Sequence, residues 1–355
     1  MKPFEAYLRN LAQIRSTGGG VPETSYYGAL ETLLNEIGKT IKPKIRCVLT
    51  LANRGVGNPD GGLFTYNQFQ KASDKAPLPG QLPGHGVIEV KPTHDDAWVT
   101  SSGKQVSKYW GKYGLVLVTN YRDFVLIGKD VNGQPMKLET YRLAANEPDF
   151  WALAEHPQRA EKSHGQRFTE FLKRAMLHAA PLSAPEDIAW FLASYARDAR
   201  SRIEGVELPA LFAVRKALEE ALGLKFEGDK GEHFFRSTLV QTLFYGVFSA
   251  WILWSKQNPP ENTSVKFDWK QAVWSLHVPM IRALFEQVSA PTKLQPLGLV
   301  EPNPGLQPLL IGWTVNLFSP HSIRGTLSNI SMNHFCNNLI LNYERNLVFG
   351  IPHQR

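Results

Sequence analysis

Residues 87–91 read Val-Ile-Glu-Val-Lys, an apolar run interrupted at alternate positions by an acid and a base. Successive side chains of a β-strand point to opposite faces, so Glu89 and Lys91 share a face with Val87, while Ile88 and Val90 point the other way. Upstream, Asn58-Pro59-Asp60-Gly61-Gly62 sets a second acid in a turn. Two carboxylates and one ammonium brought together make a magnesium site with a charged lysine beside it. Such a site can hydrolyse a phosphodiester bond, because that reaction requires an activated water and charge neutralisation at phosphorus, and a carboxylate-bound magnesium ion can provide both.

The elements around these residues follow from periodicity. Residues 2–15 carry Phe4, Tyr7, Leu8, Leu11 and Ile14 at helical spacing, and Gly18-Gly19-Gly20 ends that helix in a joint. Thr24 or Ser25 can cap a helix over 26–37. Strands are expected at 45–51, 62–66 and 86–91, with a Pro- and Gly-rich loop over 70–85. A short helix at 101–110 and strands at 115–119 and 124–127 complete the pattern. The order helix, strand, strand, strand, helix, strand, strand predicts an α/β domain around a mixed sheet. From residue 164 the pattern becomes helical, over 164–178, 184–203, 208–222, 232–256 and 270–288, and strand signals vanish. An all-α second domain is expected, with the boundary at 145–163. The segments are therefore 1–21, a helix and Gly-rich joint; 22–150, the α/β domain; 164–300, the helical domain; and 301–355, a tail.

That tail is unusual. Only Glu301, Arg324, Glu344, Arg345 and Arg355 are charged among its 55 residues, about 9% against 20% for the chain. A shifted reading frame near residue 301 and an ordinary, poorly charged segment both account for it.

With 355 residues the chain is long enough for two domains with real cores, and its 43% hydrophobic content excludes disorder as the default. A net charge of +7 favours an anionic partner, nucleic acid first. Cys47 and Cys336 form neither a disulfide framework nor a zinc spacing, which fits a reducing cytoplasm. Residues 1–5 start no signal peptide. The longest apolar stretch, 239–254, is shorter than the about 20 residues of a membrane span and reads as a buried core helix.

Asp60 and Glu89 are the expected metal ligands, with the Val90 carbonyl as a third and Lys91 beside the attacking water or the pentavalent phosphate. Glu31 and Glu36, on the 26–37 helix, are both candidates for a further acid; they are five apart, so both cannot face the site equally. Gln105 and Tyr109 lie four apart on one helix face. Trp98, Trp110 and Tyr113 read as packing residues.

Pro-Asp followed by Glu-x-Lys on a strand resembles the PD-(D/E)XK nuclease superfamily. The 29-residue spacing from Asp60 to Glu89 is longer than usual there, and the 70–85 insertion explains it. Gln105-Val106-Ser107-Lys108-Tyr109 is similar to the QxxxY motif of a subset of these nucleases. In that subset the Gln and Tyr help hold the active site and the nucleic-acid backbone. Together with Tyr26-Tyr27-Gly28-Ala29-Leu30 and Leu117-Val118-Thr119-Asn120-Tyr121, the order resembles the N-terminal nuclease region of single-chain restriction–modification enzymes. The segment 239–248 resembles the helical connector of those enzymes. The resemblance covers about residues 22–300. It implies a restriction-endonuclease-like domain, Mg2+ as cofactor, double-stranded DNA as partner and a homodimer on DNA for double-strand cutting.

Those enzymes continue into an adenine-specific DNA methyltransferase and a target-recognition domain, and neither is expected in this chain. Asn258-Pro259-Pro260-Glu261 follows a helix and lacks the aromatic residue of a methyltransferase loop, so it reads as a helix terminator. No phosphate-binding G-x-x-x-x-G-K-[ST] run occurs. His85, His94 and His233 form no spaced metal cluster. The competing expectation is a catalytically inactive or truncated N-terminal piece of a restriction–modification polypeptide, acting as a DNA-binding or assembly module. A metabolic α/β enzyme with a small-molecule pocket elsewhere is a third reading.

Overall fold

The structure is a computed structural model. It describes residues 1–258 apart from 22, 51–56, 72–73, 130–132, 179, 181–184, 205–210 and 224. The chain divides into two compact units, Met1–Ala180 and Pro181–Arg355.

The first unit is built on a six-stranded mixed sheet. Its strands are β1 (Ile45–Leu49), β2 (Gly61–Thr65), β3 (Val87–Val90), β4 (Val116–Thr119), β5 (Asp123–Lys129) and β6 (Pro135–Arg142), ordered as numbered. Neighbours are antiparallel except β3 and β4, which run parallel. A parallel pair needs a crossover, and helices α3 (Ala97–Ser101) and α4 (Lys104–Tyr113) supply it. Asp96 starts α3 by accepting from the Trp98 and Val99 amides at 2.7 and 3.2 Å. Gly114, at φ +72°, ends α4 in the left-handed region. Gly86 is equally constrained: its φ is +95°, and a Cβ there would lie 2.6 Å from the Leu115 carbonyl oxygen.

Register decides which side chains meet. Val87, Val116, Val118, Val125 and Ile127 face α3 and α4, packing with Ala97, Val106 and Tyr109. Trp98, Trp110 and Tyr113 pack against that cluster, and the Trp110 indole donates to the Gly128 carbonyl at 2.9 Å. On the opposite face lie α1 (Pro3–Ser16), α2 (Tyr27–Gly38) and later helices, α5 (Glu147–Glu155), α6 (Pro157–Ala160) and α7 (Gln166–Leu177). There the Phe168 ring meets Phe4 at 5.0 Å, Phe124 at 4.9 Å and Tyr141 at 5.1 Å. A buried ion pair, Arg174 Nε to Glu139 Oε2 at 2.9 Å, ties α7 to β6.

Several expectations are corrected. The helix expected at 101–110 is two helices, broken at Ser102-Gly103. β6 and α5 were not expected at all. A register shift between Leu126 and Ile127 breaks the alternation of the β5–β6 pair, and Glu139 is buried by its arginine rather than exposed. The chain divides between residues 180 and 181 rather than at 145–163: α7 is tied to β6, and α5 and α6 pack on α1. The helix expected over 2–15 is α1, and its Phe4, Tyr7, Leu8 and Leu11 are buried within the first unit.

The described part of the second unit contains α8 (Pro185–Ile203), α9 (Phe212–Leu222) and α10 (Gly228–Gln257). α10 is long and apolar enough to cross a bilayer, yet Leu239, Val240, Leu243, Val247 and Trp251 along it are buried. The helix expected at 270–288, the Pro259-Pro260-Glu261 part of the terminator, Cys336 and the 301–355 tail lie outside the described residues.

Candidate active site

The C-terminal end of β3 carries the charged pair. Glu89 points to the α4 face with Val87 and is 1% exposed. One of its oxygens accepts from the Lys91 ammonium at 2.6 Å; the other, Oε2, is buried and has no hydrogen-bond partner. A carboxylate oxygen withdrawn from water without a donor is costly. Burial accordingly pushes the Glu89 carboxyl up to about 7, Lys91 opposes the rise, and Asp60 and Glu23 add to it. Burial works against the Lys91 ammonium, but Glu89, with Asp60 and Glu23 behind it, holds that group above its ordinary value.

Asp60 enters from the turn before β2, which pairs with β3. Its two oxygens are fixed separately: Oδ2 accepts from the Val90 amide at 2.8 Å and Oδ1 from the Tyr27 hydroxyl at 2.8 Å. In a strand the N–H and C=O of one residue leave by the same edge. The Val90 carbonyl therefore lies on the edge that its amide presents to Asp60, where the sequence expectation put a third ligand.

The expected further acid is placed differently. Glu36 pairs with Lys39 at 2.5 Å on the surface of α2. Glu31 interacts with β1 instead: burial raises its carboxyl, while the Leu49 backbone and Arg46 counter the rise. Four residues on, Asn35 brackets Cys47, accepting from its amide at 2.9 Å and donating to its carbonyl at 3.1 Å. Asn35 and Glu31 thus serve the open edge of the sheet, where unpaired strand groups need partners. The acid whose field reaches Glu89, Lys91 and Tyr27 is Glu23, at the entrance to α2. Its carboxylate meets the Tyr27 hydroxyl at 3.2 Å, so Tyr27 bridges Glu23 and Asp60. Burial and both acids raise the Tyr27 hydroxyl far above its usual range.

Sequence reasoning missed Glu23 and Tyr27 as site residues because it sought the acid inside the helix. The available signal was an acid four residues before a tyrosine across a helix start, a spacing that puts both on one side. The buried Tyr121 completes the support. It sits at φ +70°, its hydroxyl donates to the Glu23 carbonyl, and its own carbonyl accepts from Tyr7 at 2.9 Å.

From the other side comes α4. Tyr109 is buried beneath the Asp60 loop, where Gly57 leaves room for its ring. Burial raises its hydroxyl, as do the charges of Glu89 and Asp60. Gln105 donates to that hydroxyl at 3.0 Å. Asp60, Glu89, Val90, Lys91 and Tyr109 are thus gathered in one place, with Gln105 attached through Tyr109; Glu31 and Glu36 are not.

Among the described residues, no three His, Cys, Asp or Glu side chains are grouped so that they could hold a metal by themselves. Magnesium asks for less. It keeps several waters and commonly takes one or two carboxylates. Asp60, the unpartnered Glu89 oxygen and the Val90 carbonyl fit that donor set.

No family model matches the chain, and no curated protein does. Among solved structures, the chain is similar to one in a cryo-EM structure of a DrdV–DNA complex, at 16% identity and a TM-score of 0.29. That similarity covers 97% of this chain, which spans 28% of the length of the other.

Proposed function

We propose that the first unit is a magnesium-dependent DNA endonuclease module that hydrolyses phosphodiester bonds, of the kind joined to modification enzymes in single-chain restriction–modification systems. The observation that carries this reading is the buried, unpartnered Oε2 of Glu89, set between a lysine and an aspartate whose two oxygens are separately anchored. A site of this kind is shaped for a cation that brings its own positive charge. The resemblance described above and the net charge of +7 agree with a DNA partner.

Asp60, Glu89 and the Val90 carbonyl would hold the ion, which when bound supplies an activated water and charge neutralisation at phosphorus. Tyr27 and the Val90 amide keep the Asp60 carboxylate in one orientation. Glu89 holds the Lys91 ammonium against the site, where it orients the attacking water and stabilises negative charge that builds on the phosphate oxygens. Gln105, exposed and held by its bond to the buried Tyr109 hydroxyl, lines the approach and positions the strand to be cut. One site cuts one strand, so a double-strand break needs two copies of the chain on the duplex.

The test is nicking of supercoiled plasmid by the full chain, in magnesium and in EDTA, with Asp60→Ala and Lys91→Ala alongside. Cutting retained by both variants contradicts the assignment. DNA binding without any cutting by the wild type would favour a non-catalytic module.

A further inference from the structure

Between α1 and α5 runs a groove of about 580 Å3 lined by Arg9, Arg15 and Trp151. Past Glu155 it adjoins a second groove, of about 420 Å3, lined by Arg9, His156 and Arg159. The arginines are not equivalent. Arg9 is shared with Glu5 at 3.0 Å. Arg15 lies over the Trp151 ring, 4.4 Å from its centroid, and the Trp151 indole is fixed by donation to Glu147 at 3.1 Å. Among the described residues neither Arg15 nor Arg159 has a carboxylate in salt-bridge reach. Stacking on an indole orders a guanidinium while leaving its N–H edges available, so less freedom is lost when those edges meet an anion.

The groove lies on the α1 and α5 side of the first unit, and one chain of contacts leads from it toward Asp60. The Trp151 ring is 5.7 Å from that of Tyr26, and the next residue, Tyr27, donates to Asp60. With Arg9 paired to Glu5, Arg15 and Arg159 against Glu155 leave the lining cationic. A guanidinium held over an indole, with a second one farther along a shallow channel, suits a row of phosphates, and arginine's planar fork matches phosphate geometry.

We propose that this Arg15–Arg159 groove carries the phosphate backbone of the DNA substrate, an inference that rests on the nuclease reading above. Each phosphate contact made by such a side chain releases counterions, and log Kd then varies with log salt by about 0.9 per contact.

The experiment measures binding of a short DNA duplex to the full chain in EDTA, across a salt series, for wild type, Arg15→Gln, Arg159→Gln and Arg15→Lys. Each Gln variant is expected to reduce the salt slope by about 1. The corresponding loss of affinity is about eightfold larger at 0.1 M than at 1 M salt. Arg15→Lys keeps the charge and is expected to keep the slope. Slopes unchanged in both Gln variants overturn the proposal and leave the groove to a different kind of partner. Plasmid nicking, measured in parallel, separates the two readings. Reduced slopes without magnesium-dependent nicking support the groove and remove the nuclease assignment; nicking with unchanged slopes does the reverse.

Discussion

Glu89 shows how one side chain can set the behaviour of a site. Its burial lifts the carboxyl from an ordinary 4.5 to about 7. In EDTA the folded protein therefore binds more protons than the unfolded chain between those values, and this residue lowers stability as pH rises from about 4.5 to about 7. Removing the carboxylate by Glu89→Gln is expected to flatten that part of the pH–stability curve, as measured by denaturant midpoints at fixed pH. An ion held by Glu89 must displace its proton, so magnesium affinity is expected to rise with pH through about 7. Isothermal titration in two buffers of different ionisation enthalpy would reveal the released proton. Tyr27 acts through Asp60. Tyr27→Phe is expected to raise the magnesium concentration for half-maximal nicking about tenfold, as loss of a group that orients a ligand does. DNA affinity measured without metal should not change. The acid and lysine of β3, the Pro-Asp turn and the QxxxY pair were legible in the sequence because each sits in a local pattern. The role of Glu23 was not: its four-residue spacing to Tyr27 is local, but the tyrosine bridge leads to a residue 37 positions after Glu23, which that spacing does not encode.

Elements were legible where an apolar run or a helical period is unbroken in the sequence. β1 to β5 and α1, α2 and α7 were anticipated to within a few residues. β6 was hidden because a register shift against β5 breaks its alternation, and because Glu139 is buried by its pairing with Arg174 on α7. That same pair places α7 with the sheet of the first unit. With α7 taken as part of a connector, Arg174 would be an exposed charge; in the fold it is 3% exposed on its side chain. Removing one partner of a buried ion pair leaves the other charge uncompensated, at a cost of about 3–5 kcal/mol. Arg174→Met is therefore expected to destabilise the first unit by that order in urea unfolding. A change within about 0.5 kcal/mol, the range for surface substitutions, would show that α7 is not integral to the sheet.

At the scale of the whole chain, the sheet ends at the site and the helices decide access to it. α2 and the segment leading into it bring Tyr27 and Glu23 from one side, α4 brings Gln105 and Tyr109 from the other, and the parallel β3–β4 pair exists because α3 and α4 cross between them. All of the proposed chemistry lies within Met1–Ala180. A fragment of residues 1–180 is accordingly expected to fold cooperatively and to keep magnesium-dependent nicking, whatever the second unit contributes to target choice. Loss of nicking in a well-folded fragment would assign part of the site to the remaining residues. The most direct measurement is plasmid nicking by the full wild-type chain and by Lys91→Ala, each in magnesium and in EDTA. The account predicts nicking by the wild type only when magnesium is present, and a rate at least about 100-fold lower in the variant, in line with loss of a positioned catalytic group. Equal nicking by both proteins, or wild-type nicking that persists in EDTA, would contradict it.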